Sequence, residues 1–199
     1  MLSAENEIAV VTTTTNLKDD QPKSSIEPTH RRIFLWDEIL GETAVEIVSN
    51  LILMADDDSE APIELWINSA GGDAAEAFAI YDVMNSIACP VYTIGVGNVS
   101  SMAIVLLASG EPGHRYIMPS TLLMIHNISS QFSGTYEDLH SRLREVYNVN
   151  DIYKSTLLQH TNITDKQLEE ILQSNLDHCI TAKEALSLGI ADHIGYLPE

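Results

Sequence analysis

Basic residues and cysteines are scarce in this 199-residue chain, and each shortage excludes classes of protein. Only 10 Lys and Arg stand against 29 Asp and Glu, so the formal net charge is -19. Because Lys and Arg supply the attraction to phosphate backbones and anionic lipid, neither nucleic acid nor a membrane is expected as a partner. The two cysteines, Cys89 and Cys179, are too few for a disulfide framework and lack zinc-site spacing, which favours a reducing, cytoplasmic compartment.

The usual motifs for cofactors and metals are also missing. H-E-x-x-H, Walker A and G-x-G-x-x-G do not occur, so no metal site, ATP site or other cofactor site is expected. The G-x-S-x-G elbow is absent too. The uncharged stretch from Val83 to Gly110 has the length of a membrane span, but glycine, proline, serine and asparagine interrupt it and acidic residues flank it. A buried strand followed by a buried helix explains that stretch better.

Hydrophobic spacing predicts alternating strands and helices along most of the chain. Apolar runs predict strands at 33–36, 63–68, 91–96, 116–118 and 122–125. Helical spacing predicts helices at 44–55, 74–84 and 102–108, and capping signatures start three more at Thr135, Thr164 and Thr181. This alternation predicts an α/β fold with helices packed on a largely parallel sheet. Residues 1–28 show no sustained period and are expected to form a flexible tail before one domain at 29–199.

Four features could supply the chemistry of acyl transfer, which needs a nucleophile, a base, an orienting group and amide donors. Ser101 lies between a buried strand and an apolar helix, where a serine is usually only a helix cap. His126 ends an apolar run and Asp177 precedes a capping box, although most such residues are structural or solvated. Gly71-Gly72 lets the backbone approach a ligand. No one of these features is specific by itself.

Four short motifs occur in order along the chain: INSAGG at 67–72, VSSMA at 99–103, LMIH at 123–126 and ITAKEA at 180–185. Taken together, they resemble the ClpP family, the proteolytic subunits of ATP-dependent Clp proteases. The likeness runs from about Arg31 to Tyr196. It includes the spacing, which is 29 residues from Gly72 to Ser101, 25 from there to His126 and 51 more to Asp177.

The resemblance implies a role for each matching residue. Ser101 would be the nucleophile, His126 the general base and acid, and Asp177 the residue that orients the imidazole. The amides of Gly72 and Met102 would form the oxyanion hole. Five further residues match positions that line the family's unfoldase-docking pockets, although they could equally be core residues of strands: Trp66, Ile94, Val96, Tyr116 and Met118.

The same resemblance implies an architecture and partners. Two stacked seven-membered rings of this chain would enclose the active sites, and an AAA+ unfoldase of ClpX or ClpA type would supply unfolded protein or peptides. The fold would be ClpP/crotonase-like, with repeated strand–helix units and a protruding handle at about 127–160 whose long helix intercalates between the rings. The apolar stripe expected on that helix favours such an assembly. We therefore expect a cytoplasmic serine endopeptidase that acts through an acyl-enzyme and needs no cofactor.

Four departures from the family pattern leave substrate preference and ring pairing open, and two alternative functions stand beside the peptidase. Ala70 replaces a proline, Asp73 adds a carboxylate beside the oxyanion loop, Asn127-Ile128 replaces Gln-Pro, and Asn175-Leu176 replaces an Asp-Arg pair that couples the rings in many members. One alternative is a catalytically weak subunit that shapes a mixed ring with an active paralogue. The other is a crotonase-like acyl-CoA enzyme, although that enzyme would not require the three catalytic residues together and the acidic surface suits CoA poorly.

Overall fold

The computed structural model describes residues 31–130, 132–173 and 178–195, and these form alternating strands and helices. In chain order the elements are β1 (Arg32–Leu35), α1 (Gly41–Asp57), β2 (Ile63–Ser69), α2 (Ala74–Ser86), β3 (Val91–Ser100), α3 (Met102–Ala108), β4 (Arg115–Ile117), β5 (Leu122–Ile125), α4 (Tyr136–His160), α5 (Asp165–Gln173), β6 (His178–Thr181), α6 (Ala182–Ser187) and β7 (His193–Ile194). The predicted α/β fold is confirmed. The tail expected at 1–28, and Asp177, lie outside the described residues.

All seven of these strands belong to one sheet. The order along its main path is β1-β2-β3-β4-β7, and every pair on that path is parallel. The last residues of β3 also pair in parallel with β5, and β5 pairs antiparallel with β6. The prediction of a largely parallel sheet is therefore confirmed, while β6 and β7 are strands that the sequence analysis does not predict.

The main core joins one face of the sheet to helices α1, α2 and α3 and also includes buried residues of α4, α5 and α6. Strand β2 buries alternate residues there, namely Ile63, Leu65 and Ile67, as expected for a strand with one face toward the core. Every residue of α3 is buried. Burial of large apolar side chains contributes about 1.5–3 kcal/mol each. Helix α3 is thus held firmly at the end of β3, and the turn between them is fixed from both sides.

The uncharged stretch that raised the question of a membrane span is divided among three elements. It contains the end of α2, all of β3 and all of α3. The prediction of a strand and a helix in this stretch is confirmed. None of the helices within the described ranges has the length and the apolar character needed to cross a bilayer.

A second apolar cluster lies on the opposite face of the sheet, because successive residues of a strand point to opposite sides. Three of its members are buried and two are half-buried: Ile94, Tyr116 and Met118, then Trp66 and Val96. These are the five residues that match the docking pockets. They share one surface, as a docking site requires, and three of them are also as buried as core residues, so both interpretations stay open.

Helix α4 is 25 residues long and changes character along its length. It begins with the capping box expected at Thr135, whose hydroxyl accepts from the N–H of Asp138. Its C-terminal half enters the core, where Tyr153 and Leu157 are fully buried. Its N-terminal half exposes an apolar stripe, which we call the α4 stripe, formed by Leu139, Leu143 and Tyr147.

Candidate active site

Ser101 occupies the turn between β3 and α3 and has an unusual backbone conformation. Its φ is 55° and its ψ is -128°, and no other non-glycine residue in the described ranges has a positive φ. Such a conformation costs about 1–3 kcal/mol and persists only where the surrounding structure imposes it. The Ser101 N–H donates to the Met124 carbonyl over 2.8 Å, which ties the turn to β5. Ser101 is the N-cap residue of α3, but its side chain makes no cap hydrogen bond to the helix.

Gly71 and Gly72 bring the loop after β2 directly against the Ser101 turn. Their φ values are 95° and 150°, which side chains rarely tolerate. A Cβ on Gly71 would lie 2.6 Å from the Ser101 Cβ and 2.8 Å from the Ser100 carbonyl oxygen. A Cβ on Gly72 would lie 2.3 Å from the Ile39 carbonyl oxygen. Both positions therefore require glycine, for conformation and for space.

Two main-chain N–H groups near Ser101 are left out of the regular hydrogen-bond ladders. The N–H of Ile39 donates to the Gly71 carbonyl over 2.7 Å, and the Ile39 carbonyl accepts from Asp73 over 2.8 Å. Ile39 and Gly72 thus form a parallel bridge in which both hydrogen bonds are made by the N–H and the carbonyl of Ile39. The bridge therefore leaves the N–H of Gly72 unused. The Met102 N–H is the first of α3, and helix starts have no intrahelical acceptor for their first N–H groups.

Ser101 and His126 line one cleft with a volume of ≈ 510 Å³. The residues expected to form the oxyanion hole, Gly72 and Met102, line it as well. Four of the five expected catalytic positions are thus brought together, and the fifth, Asp177, lies outside the described residues. The rest of the cleft combines apolar and charged side chains, including Ile128, Phe132, Val146, Glu38, Asp73, Arg142 and Glu145.

The His126 imidazole is held in one orientation by its own chain neighbour. Its Nδ1 lies 2.7 Å from the carbonyl oxygen of Asn127. Because a carbonyl can only accept, Nδ1 carries the hydrogen of this bond, and in a neutral imidazole Nε2 is then the nitrogen with the lone pair. This is the tautomer that a general base needs. No hydrogen bond joins Nε2 to the Ser101 hydroxyl within the described part of the chain, and such bonds are often long before substrate binds.

The two chain neighbours of His126 are tied to the segments on either side of residues 174–177. Ile125 pairs with His178 in the antiparallel β5–β6 ladder. The side-chain amide of Asn127 donates to the carbonyl of Leu172, a buried residue of α5. The sequence marks Asn127 only as a departure from the family pattern, and nothing in the local sequence indicates this bond.

The carboxylate of Asp73, the residue after Gly72, caps helix α2. Its Oδ1 accepts from the N–H of Ala75 over 2.8 Å and from the N–H of Glu76 over 3.2 Å. A helix N-terminus stabilises such a negative charge. Asp73 therefore has a structural role that the sequence analysis does not foresee, although its charge still faces the cleft.

A second polar network lies outside the cleft, where α4 ends. Arg115 binds Asp192 through Nη2 over 2.5 Å and donates from Nη1 to the His160 carbonyl over 2.6 Å. Burial alone would raise the pKa of Asp192, but the hydrogen bonds and charge of Arg115 outweigh it and lower that pKa. Burial, and then the charge of Arg115, lower the pKa of His160.

Across 31–130, 132–173 and 178–195, no group of three His, Cys, Asp or Glu residues is arranged to hold a metal ion.

Comparison with known proteins agrees with this arrangement. The family model described as Clp protease matches residues 24–196. The ATP-dependent Clp protease proteolytic subunit 2 of Tropheryma whipplei is 36% identical over 166 residues, which span 82% of this chain and 90% of that protein. Subunit 2 of Thermobifida fusca is 35% identical over 82% of this chain and 80% of its own length, and subunit 1 of Leifsonia xyli subsp. xyli is 35% identical over 82% of each chain. With most of its length matched at this level of identity, the chain belongs to the Clp protease family.

Proposed function

We propose that this chain is a serine endopeptidase subunit that cleaves peptides and unfolded protein through an acyl-enzyme. The observation that carries the proposal is the shared cleft: Ser101, in its strained turn, lines the same cavity as His126 and the N–H groups of Gly72 and Met102. A serine that merely caps a helix would have no reason to adopt this conformation or to face an imidazole across a cavity.

The proposed reaction has two balanced steps. In the first, Ser101 Oγ attacks the carbonyl carbon of the scissile peptide while His126 Nε2 takes the hydroxyl proton. The carbonyl electron pair moves to oxygen and returns to expel the amine, which takes the proton from Nε2. In the second, water attacks the ester, again giving a proton to Nε2, and Ser101 leaves with that proton.

The amides of Gly72 and Met102 are proposed to bind the oxygen on which negative charge develops. Neither N–H is used by the bridge or the helix that contains it, so each has a free hydrogen to donate. Loss of one such donor typically costs about 2.7–4 kcal/mol of transition-state stabilisation. The glycine at position 72 supports the assignment, because a side chain there would collide with Ile39 and displace the loop.

We assign Asp177 the role of the carboxylate that orients His126. The support is the register of the β5–β6 ladder, in which Ile125, the residue before His126, pairs with His178, the residue after Asp177. A buried or hydrogen-bonded carboxylate at Nδ1 stabilises the imidazolium that forms during each step.

The assembly that we propose is a pair of stacked rings that receives substrate from an AAA+ unfoldase of ClpX or ClpA type. The names of the relatives describe ATP-dependent proteases, and this chain has no nucleotide motif of its own. The exposed α4 stripe is the proposed contact between rings. The proposed docking surface for the unfoldase is the second apolar cluster: Trp66, Ile94, Val96, Tyr116 and Met118. Free Cys89 and Cys179 suit the reducing cytoplasm, where we propose that the protein acts.

A fluorophosphonate probe tests the proposed chemistry directly. We expect it to label wild-type protein at Ser101 and to leave Ser101→Ala unlabelled, with the purified chain hydrolysing a fluorogenic peptide by itself. Equal labelling of both proteins would refute the mechanism. Labelling without turnover, restored only by a second active subunit, would instead identify a weak subunit of a mixed ring. Tight binding of an acyl-CoA thioester in place of peptide cleavage would identify a crotonase-like enzyme.

A further inference from the structure

Asn127 makes two hydrogen bonds that point in different directions. Its main-chain carbonyl accepts from His126 Nδ1 over 2.7 Å, and its side-chain amide donates to the Leu172 carbonyl. One residue therefore connects the imidazole of the cleft to helix α5, which is 45 residues further along the chain.

Helix α5 is a firm anchor for that connection. Its side chains Leu168 and Leu172 are buried in the main core, at 1% and 3% exposure. The last four carbonyls of a helix have no partner within the helix, and Leu172 is the second-last residue of α5. The amide of Asn127 thus satisfies a helix-end carbonyl and is itself bonded to a helix that is anchored in the main core.

The anchoring bears on the chemistry because of which atom His126 uses. Nδ1 must keep its hydrogen if Nε2 is to accept a proton from the nucleophile, and an acceptor that is held in place at Nδ1 enforces that tautomer. The Asn127 carbonyl can do this only if its peptide plane stays where it is. This peptide joins Asn127 to Ile128, a half-buried residue that packs on the core. The bond from the Asn127 side chain to Leu172 restrains the other end of the peptide.

We propose that Asn127 is a positioning residue for His126: its side chain fixes to α5 the peptide whose carbonyl accepts the Nδ1 hydrogen. The catalytic consequence rests on the proposed function, whereas the two hydrogen bonds of Asn127 are observed in the structure. It adds to the carboxylate proposed above a second acceptor at Nδ1, since one N–H can be shared between two acceptors.

The test uses variants of the side chain that leave the carbonyl in place. Asn127→Asp is isosteric but replaces the donor with a carboxylate that repels the Leu172 carbonyl, and Asn127→Leu removes the donor without adding charge. Asn127→Gln keeps an amide donor and serves as the conservative rescue. The matched control is Asn85→Asp, because Asn85 makes the same kind of amide-to-carbonyl bond, to Tyr81 over 2.7 Å, in α2.

Two measurements are made on each full-length protein. The first is kcat and KM for a fluorogenic peptide, normalised to the sites labelled at Ser101. The second is the ¹⁵N spectrum of the neutral His126 imidazole, assigned by the loss of its signals in His126→Gln, which reports the tautomer without any need for activity. Unfolding midpoints identify a variant that has simply failed to fold, and Asn127→Leu then replaces Asn127→Asp.

We expect the hydrogen on Nδ1 in wild type and in the Asn85→Asp control, and a mixture of tautomers in Asn127→Asp and Asn127→Leu. A misplacement of this kind lowers kcat by about 10- to 100-fold, with KM changed by less than about twofold, and Asn127→Gln recovers part of the loss. A wild-type imidazole with its hydrogen on Nε2, or a folded Asn127→Asp with wild-type tautomer and kcat, overturns the inference. A wild type that neither labels nor cleaves refutes the proposed function, and the tautomer measurement then decides the inference alone.

Discussion

Gly71 stands directly behind Ser101, so close that a Cβ on Gly71 would lie 2.6 Å from the Ser101 Cβ. The loop after β2 and the turn after β3 therefore meet without a side chain between them. One consequence is that Ser101, the proposed nucleophile, and the loop that carries Gly72, the proposed oxyanion donor, form a single unit, because neither can shift without displacing the other.

Replacement of Gly71 by alanine is the sharpest test of that contact. The new methyl group would meet the Ser101 side chain and the Ser100 carbonyl, and the φ of 95° would be strained by about 1–3 kcal/mol in addition. We expect Gly71→Ala to lower the rate of Ser101 labelling by at least about 100-fold. The control is Gly113→Ala, where φ is 85° but nothing lies within 4 Å, and where labelling should stay at the wild-type rate. If Gly71→Ala labels as fast as wild type, the two loops do not act as a unit.

Substitutions of Asp73 test two effects of its carboxylate: the capping of α2 and the negative charge that it adds to the cleft. Its carboxylate caps α2, so Asp73→Ala should lower the free energy of unfolding by about 1 kcal/mol, whereas Asp73→Ser keeps an acceptor and should cost less. Both variants remove a negative charge near the place where the oxyanion forms. We therefore expect Asp73→Ser to raise kcat for a neutral peptide by about two- to tenfold at low salt, with a smaller gain at high salt. Steady-state kinetics at two ionic strengths check this, and a fall in kcat with the fold intact would contradict it.

Much of the fold follows from periodic patterns that the chain displays openly. The apolar run at 63–68 predicts β2, whose residues alternate between buried and half-buried in the structure, and the capping boxes at Thr135 and Thr181 are both formed as expected. Strands β6 and β7 give no such signal. β6 buries Ile180 alone among its four residues and β7 buries neither of its two, because main-chain pairing rather than a hydrophobic face places them.

For the candidate site, the sequence indicates the residues but not their conformation or their long-range hydrogen bonds. The resemblance of the ordered motifs to the ClpP family is what singles out Ser101 and His126, because neither position is specific by itself. The positive φ of Ser101 and the bond from Asn127 to Leu172 are not predictable in this way. Both result from tertiary packing between segments far apart in sequence, and local propensity carries no record of such packing.

The α4 stripe tests the proposed pairing of rings. Leu143 is 48% exposed, so a charged side chain there should leave the fold of one subunit intact. Contact with a second ring would remove water from that charge, which is unfavourable and should weaken the contact. We expect Leu143→Glu to reduce the native mass from a ring pair to a single ring. The matched control is Ser141→Glu, at an exposed position on the same helix. Native mass spectrometry distinguishes them, and an unchanged assembly in Leu143→Glu would place the contact elsewhere.

The ion pair between Arg115 and Asp192 should matter more for stability than the exposed pairs on helices. The two side chains are only 11% and 20% exposed, and Arg115 also donates to the carbonyls that end α3 and α4. Removal of one partner leaves the other charge desolvated, which costs about 3–5 kcal/mol in buried pairs. We expect Arg115→Met to lower the free energy of unfolding by about 3 kcal/mol in urea titrations. The control is Lys166→Met, which breaks a pair with both side chains exposed and should cost less than about 1 kcal/mol.

The environment of His160 makes the stability of this corner depend on pH. Its Nε2 is hydrogen-bonded to Tyr81 Oη over 2.9 Å, and burial, with the charge of Arg115, lowers its pKa below the usual 6.5. The unfolded chain therefore binds this proton more readily than the folded one, so the contribution of His160 to the free energy of unfolding falls as pH drops through 6.5 toward the folded pKa and is constant above 6.5. Urea titrations of wild type and His160→Gln from about pH 8 to about pH 5 isolate this contribution, because every other group titrates in both proteins. The advantage of wild type over the variant should be constant from about pH 8 to about 6.5 and shrink below that, and parallel curves throughout would show that His160 keeps its ordinary pKa in the folded protein.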